Sequence, residues 1–321
     1  VDGGMTWNQI TDWWASGRGL PEIHADHHFI GHHPLDPDQL YFGCDGGVYR
    51  YRESTEQWEE LVNGLAITQF YKMDISMTNP PVLIGGSQDN GGWVRRSNQS
   101  WGNTNGGDAM SQVIDPSNPA IGYTEYWGGN AVYRTTNGFN NLTDITQNIG
   151  ANLPGQWVTP FSLNPGNPST FIIGYDDLFV SYDRGTRFVR ITNNLTGSTD
   201  NDLREVRISP ADTQFIVATR ANICYTSKDF GKTFHPKNAQ RIWCTRGGLG
   251  AVKVMESNNQ GGSWSNITRN MPNVPVLCIR FDEPSNVLFL GTDFGVFYSD
   301  ADDINWVYYG TGMPNTSVTD L

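Results

Sequence analysis

Ser227-Lys228-Asp229-Phe230-Gly231-Lys232-Thr233-Phe234 decides how this chain is read, because weakened copies of it recur along the whole length. The rule is Ser/Thr-x-Asp/Asn-x-Gly-x-Thr/Ser-aromatic. It returns at Asp2–Trp7 and at Ser257–Trp264, and Ser181–Phe188 keeps every position but one. Looser copies end at Trp58, Trp101, Leu142 and Trp306. Such a stretch is a strand–turn–strand unit. The Asp or Asn accepts backbone N–H groups inside the turn, the Gly supplies positive φ, and the aromatic pins the hairpin to its neighbour. A chain built on a repeated unit is read as an array.

Between one such aromatic and the next the grammar is constant. A strand runs into a Pro corner ("DPDQ", "DPSNP", "NPGNP", "SPAD"), a second strand ends in Gly, and after a polar turn a third leads into the next hairpin. Proline fixes φ at these corners and Asn or Asp closes the bend. Four strands per unit of roughly 40 residues is the period of a β-propeller blade. The expectation is an all-β, seven-bladed propeller of four-stranded antiparallel blades over 24–315. Residues 1–23 would be the end of a preceding blade with a linker, and 316–321 the first strand of a following element. Phe234 and Trp264 are only 30 residues apart, against 41 to 51 elsewhere. The reading is either a stretch missing between Phe234 and His235 or a three-stranded blade.

The 36 glycines, 17 prolines and 12% aromatic content fit short strands and tight turns. No apolar run reaches the roughly 18 residues of a membrane helix, so no membrane insertion is expected. A formal charge of −12 argues against a nucleic-acid partner, since no basic stripe is present to neutralise phosphates. The chain starts inside a turn motif without a signal peptide and is read as a piece of something longer. Cys44, Cys224, Cys244 and Cys278 form no CxxC pair; they make either two disulfides or buried free thiols.

Two constellations carry chemistry. Five of the six histidines fall between His24 and His33. On an extended strand His24, Asp26 and His28 would share one face, a competent set for a divalent metal such as zinc or calcium, with Asp45 in reach to complete it. The second is a rim of polar turns between second and third strands: Cys44–Gly47, Gln88, Asp89, Asn90, Gly91, Trp127–Asn130, Asp176, Asp177, Arg220–Asn222, Thr292 and Asp293. Trp93, Tyr126 and Tyr175 interleave with them. Carboxylates beside aromatic faces suit a sugar, whose hydroxyls take hydrogen bonds while its ring stacks. The plain alternative is that Asp-Gly and Asp-Asn-Gly are ordinary turn residues.

"HADHHFIGHHP", "CDGGVYR", "GGSQDNGG", "GQWVTPFSLNP" and "LGTDFGVFYSD" together make the chain resemble the Asp-box (BNR) repeat propellers. These include sortilin-type domains, two-propeller xyloglucanases and secreted cargo of the type IX route in Bacteroidota-type bacteria. The resemblance implies a secreted or cell-surface location and a second propeller or other domains in the same protein. It implies no single activity. A binding or scaffold module for glycan or protein partners is the first expectation. A β-glucan-cleaving glycoside hydrolase is the alternative. There Asp45 resembles the acid of a xyloglucanase stretch, and its partner would be Asp89, Asp108 or an acid outside the chain. Asp293 in "TDFGVFYS" fits the same pattern nearly as well, so that match is not specific.

Overall fold

The computed structural model describes the chain except residues 1–2, 14–16, 18, 66–67, 152–153, 194, 197–201, 211, 221–222, 228–233, 236–237, 260 and 311. It forms two compact units, Val1–Gln69 and Phe70–Leu321. Seven antiparallel sheets are described, each a meander whose strands pair in chain order. Sheet I (27–60) belongs to the first unit. Sheets II (72–103), III (109–144), IV (161–190), V (205–227), VI (234–266) and VII (276–308) belong to the second. Six have four strands and sheet V has three. Among the described residues the two helical pieces are single 3₁₀ turns.

The repeated turns work through the side chains the motif predicts. At Ser181–Arg187 the Ser181 hydroxyl accepts the Gly185 N–H at 2.7 Å and the Asp183 carboxylate accepts the Arg187 N–H at 2.9 Å. That amide holds the Asp183 carboxyl below its usual range. The copy at 257 repeats both contacts: Gly261 N–H to Ser257 at 2.8 Å and Ser263 N–H to Asn259 at 2.7 Å. In the copy at 135, Phe139 stands where the glycine should be and takes a left-handed φ of 63°. It still donates to the Thr135 hydroxyl at 3.0 Å.

Phe234 and His235 follow each other in a two-residue strand that pairs with Asn238–Thr245 and opens sheet VI. Residues 228–233, on which the opening motif rests, lie outside the described residues, as do 236–237.

Within the second unit, neighbouring sheets bury apolar faces against each other. Ile84 and Val94 of sheet II meet Ile114 of sheet III; Tyr123 of sheet III meets Phe171 of sheet IV. Ile172 and Val180 meet Val206 and Ile216 of sheet V, Val217 meets Ile242 of sheet VI, and Trp243 meets Leu288 and Leu290 of sheet VII. Among the described residues no such cluster joins sheet VII to sheet II. Residues 316–321 lie between these two sheets. Val318 N–H donates to Thr292 O at 2.8 Å, Met73 N–H to the Asp320 carboxylate at 2.9 Å, and the Thr319 hydroxyl to Phe70 O at 3.3 Å.

In the first unit Trp58 packs between Phe42 and Tyr51, with ring centroids 4.8 Å apart in each case. All four cysteines are free thiols. The expectation that they are buried needs correction: Cys224 is exposed and the other three are half-buried.

Candidate functional site

The histidine cluster lies in the first unit, and the strand alternation expected for it does not occur. The strand starts at His27, after a bend at Ala25, and Asp26 has a left-handed φ of 57°. A residue at that φ breaks the period of two, so His24, Asp26 and His28 do not share a strand face. His28 Nε2 lies 2.5 Å from Asp45 Oδ1, with the histidine side chain 68% exposed. Asp26 and Asp45 place carboxylate oxygens within 4.8 Å of each other. His24 packs over the bare Cα of Gly46, where any Cβ would fall 2.3 Å from its own.

In the second unit the structure joins the polar-rim candidates at 88–93 and 126–127 into one patch. The turn between the second and third strands of sheet II puts Asp89 at φ 59°, and Gln88 accepts the Tyr71 hydroxyl at 2.7 Å. Trp93 donates its indole N–H to Asn90 O at 2.9 Å. Asp108 is the bridge. Its carboxylate accepts the Asp89 N–H at 3.1 Å and its backbone carbonyl accepts the Trp127 N–H at 3.1 Å. Trp127 stacks on Trp157 with centroids 5.4 Å apart and planes at 22°, and Gly128 N–H donates to Trp157 O at 3.1 Å. Trp157 is 42% exposed, and Tyr126 lies 6.2 Å from Trp127 at the patch edge.

Three expectations fall elsewhere. Tyr175 is fully buried and bonds Gly129 O at 3.1 Å, so it faces core and not ligand. Asp176 is mostly buried beside Asp177, which is held by Arg190, Thr192 and the Leu195 N–H. Asp293 accepts the Ser317 hydroxyl at 3.2 Å. Asn222 lies outside the described residues. Asp45 belongs to the first unit, whereas Asp89 and Asp108 belong to the second.

Sequence reasoning missed two groups. Trp157 lies between sheets III and IV, outside the polar turns singled out in the sequence, and only the quoted "GQWVTPFSLNP" stretch includes it. Glu125 is 0% exposed, and burial pushes its carboxyl up to about 8. Its Oε1 accepts Thr159 N–H at 2.8 Å and Ser111 N–H at 3.1 Å, while Oε2 has no hydrogen-bond partner among the described residues. Nothing in "TEYWGG" signals this, because the burial comes from the neighbouring sheet.

No protein-family model matches the chain, and no curated protein does either. Solved structures do match. The Dos1 propeller aligns with a TM-score of 0.51 at 14% identity, over 92% of this chain and 86% of that one. A GH74 enzyme from Niastella koreensis aligns at 0.38 and 13% identity, over 99% of this chain and 69% of that one. An auxiliary nutrient binding protein from Bacteroides thetaiotaomicron aligns at 0.42 and 12% identity, over 83% and 66%. The last two likenesses are too loose to argue from. The first shows the fold, a β-propeller, which the meandering sheets of the second unit fit.

Proposed function

We propose that this chain is a binding module of a secreted or cell-surface protein, and that its second unit takes a glycan on the Asp89–Asp108–Trp127–Trp157 patch. The observation that carries this reading is the half-exposed Trp127–Trp157 stack tied through Asp108 to the Asp89 turn. Stacking on Trp127 covers one face of the Trp157 indole, and the exposed part of Trp157 offers an apolar surface for the C–H face of a sugar ring. The Asp and Asn groups beside them are hydrogen-bond acceptors and donors for its hydroxyls. Titration of soluble xyloglucan and mixed-linkage glucan, followed by tryptophan fluorescence, tests it. Trp157→Ala is expected to weaken binding by roughly tenfold. Unchanged affinity in that variant, or no binding by any glucan, would overturn the reading. The same samples are assayed for reducing ends. Release that disappears in Asp108→Asn would establish the hydrolase alternative instead.

A divalent cation at Asp26, Asp45 and His28 in the first unit is a second proposal. It is supported by the His28–Asp45 contact and the paired carboxylates. An imidazole with carboxylates suits zinc, whereas carboxylates alone suit calcium. Dialysis against each ion followed by elemental analysis is expected to leave one equivalent bound, lost in Asp45→Asn. Protein that retains neither ion would refute the site.

A further inference from the structure

A cavity of about 370 Å³ lies within the second unit, walled by the first strands of sheets II, III, IV, V and VII and by Asp320. A second cavity, of about 380 Å³, shares Lys72, Arg204, Glu205, Arg207, Arg280 and Asp320 with it. The chain as a whole is strongly acidic, at −12. Here the balance is reversed: among the described residues lining the two cavities, the cations Lys72, Arg204, Arg207 and Arg280 stand against the carboxylates of Asp74, Glu205 and Asp320.

The carboxylates are already engaged. Asp74 accepts the Ile75 and Ile114 N–H groups, both at 2.9 Å. Asp320 accepts the Met73 N–H at 2.9 Å and stands 3.9 Å from the Lys72 ammonium. Glu205 meets Lys72 at 3.5 Å and Arg207 at 3.4 Å, and also accepts the Val206 N–H at 3.2 Å. Lys72 is therefore shared between two acids.

The guanidiniums keep most of their donors. Arg280 spends its Nε on Leu321 O at 2.9 Å, and Arg207 makes one long contact to Glu205. The Arg204 side chain has no hydrogen-bond or ion-pair partner among the described residues. Arginine stays charged and offers five donors in a planar fork that matches a carboxylate bidentately. A volume of this size lies in the range of small-molecule sites.

We propose that this cavity binds a small ligand through its carboxylate, held by the guanidiniums of Arg204, Arg207 and Arg280, at a site separate from the aromatic patch. An acidic sugar such as a uronic acid is the chemical class that fits: hydroxyls for the polar wall, one planar anion for the arginines.

Calorimetric titration at low salt with glucuronate, inorganic phosphate and glucose decides it. Glucuronate is expected to bind one per chain, more weakly as salt rises, and glucose not at all. Arg204→Gln and Arg280→Gln are each expected to lower glucuronate affinity about tenfold or more. Trp157→Ala is expected to leave it unchanged, which separates this site from the patch. Equal binding of glucose and glucuronate, tighter binding of phosphate than of glucuronate, or loss of glucuronate binding in Trp157→Ala would each overturn the proposal. So would a double Arg204/Arg280 variant that melts like the parent and still binds glucuronate normally.

Discussion

Glu125→Gln is expected to make the protein more stable at pH 9 than the parent while leaving it nearly unchanged at pH 5. The carboxyl is fully buried, and burial raises it to about 8 from an ordinary 4.5. Between those values the folded chain holds a proton that the unfolded chain releases. The group's contribution is therefore fully present below about pH 4.5 and is lost as pH rises through about 8. A shift of that size corresponds to roughly 5 kcal/mol at most. Glutamine keeps the oxygen that accepts the Ser111 and Thr159 N–H groups and cannot ionise, so the pH slope should flatten. Glu125→Ala removes that oxygen and leaves two buried amides unsatisfied, a loss of about 2–5 kcal/mol at pH 5 that shrinks toward pH 9, where the parent carries the cost of ionising Glu125 and alanine does not. Urea denaturation of the three proteins from pH 5 to 9 reads the difference. A glutamine variant with the parent's pH slope would show that Glu125 is not the buried acid responsible.

Deleting 316–321 is expected to destabilise the second unit by roughly 3–5 kcal/mol, the sum of several hydrogen bonds at about 1 kcal/mol each. In a unit this size that lowers the melting temperature by about 10 °C. The reason lies in the closure. Among the described residues of the second unit every other junction between neighbouring sheets carries an apolar cluster, whereas sheets VII and II are bridged by the polar and backbone contacts of these six residues. Asp320→Ala isolates one part of the effect, since it frees the Met73 N–H and removes a partner of Lys72. A six-residue deletion that melts within a degree or two of the parent would mean that the bridge contributes nothing. Hydrogen exchange should then show no faster opening at Lys72–Ile75 or Val276–Asp282.

Much of the candidate patch could be read from residues that are close in sequence. Gln88, Asp89, Asn90 and Trp93 belong to one turn and its flanking strand, and a turn's chemistry is local. What the turn could not reveal was its neighbour: Trp157, from the stretch between sheets III and IV, stacks on Trp127. The histidine cluster failed differently. One left-handed residue, Asp26, broke the alternation from which a common face for His24, Asp26 and His28 was inferred.

By itself the sequence determined the class and the repeat. Glycines, Pro corners and Asp/Asn hydroxyl turns act within about five residues, as the bonds from Ser181 to Gly185 and from Asn259 to Ser263 show. Only the tertiary structure decided which charges are buried, which acids are engaged and where the arginines converge. Lys72 meets Glu205 across 133 positions, and Met73 meets Asp320 across 247. Burial and pairing at that range depend on how sheets stack around a common cavity, and no local pattern of residues encodes which strands will face each other there.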